Sequence, residues 1–137
     1  MSSARIVLKL KNDLGEITRL TEELEGFCER NGVSSGSLMA LNLALEEIVT
    51  NVISYGFDGG EHEIDLELLL ADGSVQATVA DNGKAYDPLQ REDPNVNAPI
   101  EERRVGGLGV LLVKRLMDHV TYARTGGKNV LTIRKRA

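Results

Sequence analysis

The apolar residues Leu38, Leu41, Leu45, Ile48, Val52 and Tyr55 recur at steps of three and four. A strand repeats its faces every second residue, so this spacing commits the stretch to one long amphipathic helix with a single buried stripe. On the border of that stripe stand Glu47 and Asn51, four residues apart and therefore one turn apart on the same side. A carboxylate beside a carboxamide at the rim of a core can hold a hydrated divalent cation and activate an oxygen nucleophile. Glu46 falls on the opposite edge of the stripe. On this helix alone the pair reads equally as a solvated helix former and an incidental asparagine, because Glu is favoured wherever a helix is exposed.

Such a helix needs an apolar surface to lie on, and strand patterns elsewhere in the chain supply it. Ile6, Leu8 and Leu10 alternate with Lys9 and Lys11, a first strand with one wet face. Asp13 and Glu16 are spaced as a capping pair for a helix running to about residue 30, with Leu14, Ile17, Leu20, Leu24 and Phe27 as its buried side. Asn31-Gly32 ends that helix, and Ser34, Ser35 and Ser37 offer caps for the long one, which stops near Gly56. Gly59-Gly60 marks a turn. Ile64, Leu66, Leu68 and Leu70 then alternate with Asp65, Glu67 and Leu69, and Asp72-Gly73 turns the chain into a returning strand with Val75, Ala77 and Val79 on one face. A closing hairpin is read from Val120 to Arg124 and Val130 to Arg134 around Gly126-Gly127.

Carried on by two, the apolar face of the returning strand next presents Asp81. A carboxylate turned to the core side must find hydrogen-bond donors or lose its charge. A bound base with an exocyclic amine satisfies it, and so does an Asx turn at the strand end, since Asn82-Gly83 follows at once. Residues 84 to 105 show no period and hold Pro88, Pro94 and Pro99, the pattern of a lid. Gly106-Gly107-Leu108-Gly109 then runs into Val110, Leu111, Leu112 and Val113. Glycines that open a helix expose N–H groups at its positive end, a phosphate cradle or simply a hinge.

Composition narrows the partners. A net charge of -5 argues against binding nucleic acid by bulk electrostatics. The single cysteine, Cys28, has no intramolecular disulfide partner and is expected to pack as a small apolar residue in the first helix. No uninterrupted apolar run approaches the roughly 18 residues of a membrane span, and no signal-peptide pattern opens the chain, so a cytoplasmic protein without membrane contact is expected. His62 and His119 read as surface residues. The 137 residues fit one domain, 1–137, with no internal repeat.

Helix with Glu-x-x-x-Asn, strand ending Asp-x-Gly, lid, Gly-x-Gly opening a helix, hairpin: this order resembles the GHKL (Bergerat-fold) ATP-binding family of gyrases, histidine kinases, mismatch-repair proteins and heat-shock chaperones. The closest likeness within it is to the small bacterial anti-sigma factor serine/threonine kinases. The segment from Leu45 to Gly56 resembles their N box, Asp81-Asn82-Gly83-Lys84-Ala85 their first glycine box, and Gly107-Leu108-Gly109 their second. The resemblance implies an α/β (α+β) two-layer sandwich, a mixed, mostly antiparallel sheet covered on one face by helices. It implies ATP and Mg²⁺ as ligands, with Asn51 on the metal, Glu47 as the catalytic base, Asp81 on the adenine amine and Gly83 giving room for the base. Gly107, Leu108 and Gly109 would then approach the phosphates. It further implies an anti-sigma factor antagonist as protein substrate, a sigma factor as alternating partner, and a homodimer through the first strand and first helix.

Two positions depart from the pattern. Ala85 stands where a glycine usually ends the first glycine box, and Gly127-Lys128-Asn129 replaces a late Gly-Thr, with Asn129 as a substitute polar partner near the base. Three other readings compete: a non-catalytic ATP-dependent binding module, a detached histidine kinase catalytic domain, and a ligand-free α+β domain. A phospho-acceptor helix is missing for the second of these, and the third requires three independent coincidences of motif.

Overall fold

A computed structural model describes residues 3–85 and 107–137, with residues 107–110 described through their backbone alone. The expected lid therefore lies outside the described residues except for Lys84 and Ala85, as does Gly106. The elements run β1 (Ala4–Lys11), α1 (Glu16–Arg30), α2 (Ser35–Tyr55), β2 (Glu63–Ala71), β3 (Ser74–Asp81), α3 (Gly107–Leu116), β4 (His119–Thr125) and β5 (Lys128–Arg136). The strands form one sheet ordered β1-β2-β3-β5-β4, and every pairing is antiparallel.

Alternation decides which face the helices cover. Leu8 and Leu10, Ile64, Leu66 and Leu68, Val75, Ala77 and Val79, and Leu131 and Ile133 are all buried on one side. Against them pack Leu20, Leu24 and Phe27 of α1, Leu41, Leu45, Ile48 and Val49 of α2, and Val113 of α3. Burying a side chain such as Leu45 removes it wholly from water and contributes roughly 1.5–3 kcal/mol. The opposite face carries Asp65, Glu67, Gln76, Thr78 and Thr132, and is laced by the Arg5–Glu67 ion pair at 2.7 Å. This is the two-layer architecture expected from the sequence.

The long helix is fixed at both ends. The Ser34 hydroxyl accepts from the Ser37 N–H at 3.2 Å, closing the first turn. The buried Ser37 hydroxyl donates to the Arg136 carbonyl, which ties the start of α2 to the end of β5. At the other end the Gly56 N–H reaches the Val52 carbonyl and the helix stops. By length and hydropathy alone α2 could cross a membrane, but its apolar stripe is part of the protein core. Cys28 is buried in α1, where desolvation raises its thiol pKa.

Several local expectations are corrected. Asp13 and Glu16 do not cap each other: Gly15 precedes α1 without a side-chain cap, Asp13 accepts from the Gly15 N–H, and the Glu16 carboxylate accepts from the Lys11 N–H. Leu14 lies before the helix, in the turn, and is 56% exposed instead of buried. Tyr55, the last residue of the apolar stripe, is 52% exposed, since no described residue covers its ring at the helix end. His62 is half-buried, not a bare surface residue: its ring stacks on Phe57 at 4.2 Å and its Nε2 meets the Gly59 carbonyl.

Candidate functional site

The α2 periodicity that buries Leu45 and Ile48 leaves Glu47 and Asn51 half-buried at the edge of the stripe. The Asn51 Nδ2 donates to Glu47 Oε1 at 3.1 Å, so the two side chains form one unit. The bond fixes the amide orientation and leaves the Asn51 carboxamide oxygen for a hard cation, while Glu47 keeps Oε2.

The β3 alternation that buries Val75, Ala77 and Val79 continues to Asp81, which is only 5% exposed. Its Oδ1 accepts from the Gly83 N–H at 2.8 Å and from the Asn129 Nδ2 at 3.1 Å. Asn129 is buried too, and the β3–β5 register sets it directly opposite Asp81. Of the two explanations offered for a core-facing Asp81, the Asx turn is the one seen here. Asp81 makes that turn to Gly83, and both of its hydrogen bonds end on one oxygen, leaving Oδ2 able to accept from a ligand.

The two clusters are joined by main chain. The Lys84 N–H donates to the Gly56 carbonyl at 2.9 Å, docking the exit of β3 on the end of α2. A Cβ on Gly83 would lie 2.4 Å from that carbonyl oxygen and 2.9 Å from Asp81 Oδ1, so only glycine fits there. Asn51 precedes Gly56 by five residues, about 7–8 Å along the helix axis. The Asp81–Asn129 cluster and the Glu47–Asn51 pair are therefore held at a fixed separation.

The exit of β3 is fastened from several directions. The Lys84 carbonyl accepts from the Asn129 Nδ2 at 2.7 Å, and the Gly83 carbonyl from the Arg124 Nη1 at 2.9 Å. The Lys84 Nζ pairs with Asp58 at 2.8 Å, and this hydrogen bond and the ammonium charge lower the Asp58 carboxyl pKa. That pair is solvent-exposed. Its small stabilisation is present above the ordinary carboxylate pKa and lost as pH falls through the depressed folded value. Ala85 is exposed just beyond these contacts. Gly107, Leu108 and Gly109 form the first turn of α3, which packs on α2, so the glycines do open a helix.

Sequence reasoning missed Gly56, Asp58, Tyr122 and Arg124. Gly56 reads only as a helix stop and Tyr122 only as a strand residue. Their contacts with residues 83, 84 and 129 arise from strand order, which local periodicity does not encode. Among the described residues no group of three or more His, Cys, Asp or Glu side chains is placed to hold a metal by itself.

Known proteins carry the same plan. Residues 10–135 match the family described as the histidine kinase-like ATPase domain. The serine-protein kinase RsbW of Listeria monocytogenes serovar 1/2a is 33% identical over 113 residues, spanning 79% of this chain and 72% of that one. The serine/threonine-protein kinase BtrW of Bordetella bronchiseptica is 31% identical over 134 residues, spanning 97% of this chain and 94% of its own. A crystal structure of the RsbU and RsbW domains of a Mycobacterium tuberculosis protein matches with a TM-score of 0.70 at 17% identity. That likeness is one of fold and covers 97% of this chain but 32% of the longer one. Since the family match takes in both the α2 pair and the Asp81–Asn129 contact, the chain belongs to the histidine kinase-like ATPase family.

Proposed function

We propose that the chain is an ATP-dependent serine/threonine protein kinase of the anti-sigma factor type. It binds Mg-ATP and transfers the γ-phosphoryl group to a serine of a small anti-sigma factor antagonist. Through that partner it governs a sigma factor in the cytoplasm. Relatives named as serine and serine/threonine kinases support the reaction class. The observation that carries the nucleotide reading is Asp81, a buried carboxylate whose Oδ1 is engaged twice while Oδ2 can accept an adenine amine.

Each residue has a physical task in this reading. Asp81 Oδ2 accepts from the exocyclic amine, and Gly83, which cannot carry a side chain there, leaves space for the ring. Asn129 and Ala85 lie at the adenine end of the lid. Backbone N–H groups of Gly107, Leu108 and Gly109 face the phosphates at the positive end of α3. Asn51 would hold Mg²⁺, which would supply neutralisation of the phosphate charge. Glu47 takes the serine hydroxyl proton. The serine oxygen then bonds the γ-phosphorus as the bond to the β–γ bridging oxygen breaks, and ADP leaves. A second copy of the chain is expected to dock on the face of β1 and α1, where Val7 is half-exposed on an unpaired sheet edge.

Calorimetric titration with Mg-ATP, paired with phosphoryl-transfer assays on an antagonist protein, tests the reading. Asp81→Asn removes the charged acceptor and turns an amide toward donors, so affinity should fall more than about tenfold, the worth of a charge-assisted hydrogen bond. Glu47→Ala should keep ATP affinity and lose transfer. Wild-type affinity in Asp81→Asn removes Asp81 from the adenine site; wild-type transfer in Glu47→Ala assigns the proton to a different base, and no transfer by the wild type leaves a nucleotide-dependent binding module.

A further inference from the structure

Tyr122 lies on β4, diagonal on the same sheet face to Asn129, since the register pairs Tyr122 with Leu131 and Arg124 with Asn129. Its hydroxyl donates to the Asn129 Oδ1. The Asn129 Nδ2 in turn donates to Asp81 Oδ1 at 3.1 Å and to the Lys84 carbonyl at 2.7 Å. We propose that Tyr122 is a positioning residue for adenine selection: it locks the Asn129 amide, and through it the Asp81 carboxylate, in the one orientation that presents Oδ2 to an amine.

The chemistry of the partners forces the direction of this relay. A carboxylate and a backbone carbonyl only accept, so both must face the two protons of the Asn129 NH₂. The amide oxygen is then left toward Tyr122, and the phenol must donate. An inverted amide would set its oxygen against Asp81 Oδ1 and the Lys84 carbonyl, and leave the NH₂ against a phenol still able to accept. The two acceptors thus choose the amide's orientation, and the Tyr122 hydroxyl holds it there by donating to the oxygen on the other side. With Gly83 N–H on the same Oδ1, the carboxylate is held from two sides and its second oxygen is fixed in place. Asn129 and Tyr122 both belong to the C-terminal hairpin, so specificity for the base is set from outside the motif that contains Asp81.

This inference rests on the adenine reading at Asp81, and the test separates the two. Binding of Mg-ATP and of Mg-purine riboside triphosphate, which lacks the C6 amine, is measured by calorimetry for the wild type and Tyr122→Phe. The wild type should prefer ATP. Tyr122→Phe should bind ATP roughly three- to tenfold more weakly, the range of one neutral hydrogen bond, with the analogue unchanged, so that the preference shrinks. A merely structural tyrosine would weaken both nucleotides equally, and an equal loss, or an unchanged preference, overturns the proposal. Equal wild-type affinity for the two nucleotides sinks the adenine reading itself. Asn129→Asp gives an independent readout, because it puts a second carboxyl against Asp81 and must keep a proton to donate. ATP affinity in that variant should fall as pH rises from about 5 to 8 while the wild type stays flat; a flat profile in both removes the amide from the relay.

Discussion

A methyl group added at Gly83 would stand 2.4 Å from the Gly56 carbonyl oxygen, well inside contact distance, and 2.9 Å from the Asp81 Oδ1 on its other side. The nearer obstacle is backbone, so a rotamer change at Asp81 cannot relieve it. The expected result of Gly83→Ala is a loss of roughly 1–3 kcal/mol of stability, the usual cost of overpacking, read by guanidinium denaturation. The same substitution should also weaken ATP binding, because it drives apart the Lys84 N–H and the Gly56 carbonyl now 2.9 Å from it. Unchanged stability would mean that the β3 exit shifts freely on α2. The sequence shows Gly83 only as a break after Asp81. That it faces the carbonyl of another glycine 27 residues earlier, Gly56, is a fact of tertiary structure.

Among the elements, α2 was the most legible and also shows where legibility stops. Its steps of three and four name the residues that end up buried from Leu41 to Ile48, because a helix fixes side-chain direction locally. The pattern fails at Tyr55, where the direction is right but no neighbour is there to cover it. Leu14 fails for the complementary reason: the chain is not yet helical at that point, so the period does not apply. Strand alternation placed Asp81 on the covered face correctly, yet its contact with Asn129 depends on β5 entering the sheet beside β3, a choice made by topology. The cap of α2 was legible in the serines before it, and it supports a measurement at this scale. Ser34→Ala removes the acceptor for the Ser37 N–H and should cost about 1 kcal/mol in chemical denaturation, with ATP affinity retained. A parallel loss of ATP affinity would show that the start of α2, far along the helix from Asn51, is coupled to the site.

At the scale of the whole molecule, β1 and β4 are the two edges of the sheet, unpaired on their outer sides among the described residues. The β1 edge carries Val7, 50% exposed, and leads into Leu14, 56% exposed. Sedimentation velocity should show a dimer that Val7→Lys converts to monomer while Mg-ATP binding persists; a wild-type monomer at tens of micromolar would remove this face from the proposed assembly. The strand order has a further consequence, for the time at which the protein becomes competent. β5 is the last of the described strands to be synthesised, yet it fills the middle of the sheet between β3 and β4. Until it emerges, β3 is a raw edge, Val79 and Ala77 have no neighbour on that side, and Asp81 lacks Asn129. A nascent chain that has made the Glu47–Asn51 helix and the Asp81 strand therefore still lacks the Asn129 hydrogen bond to Asp81 and the pairing of β3 with β5. On the proposed nucleotide reading, completion of the C-terminal hairpin would act as a checkpoint, and a ribosome-bound or prematurely terminated chain should not draw on the cell's ATP.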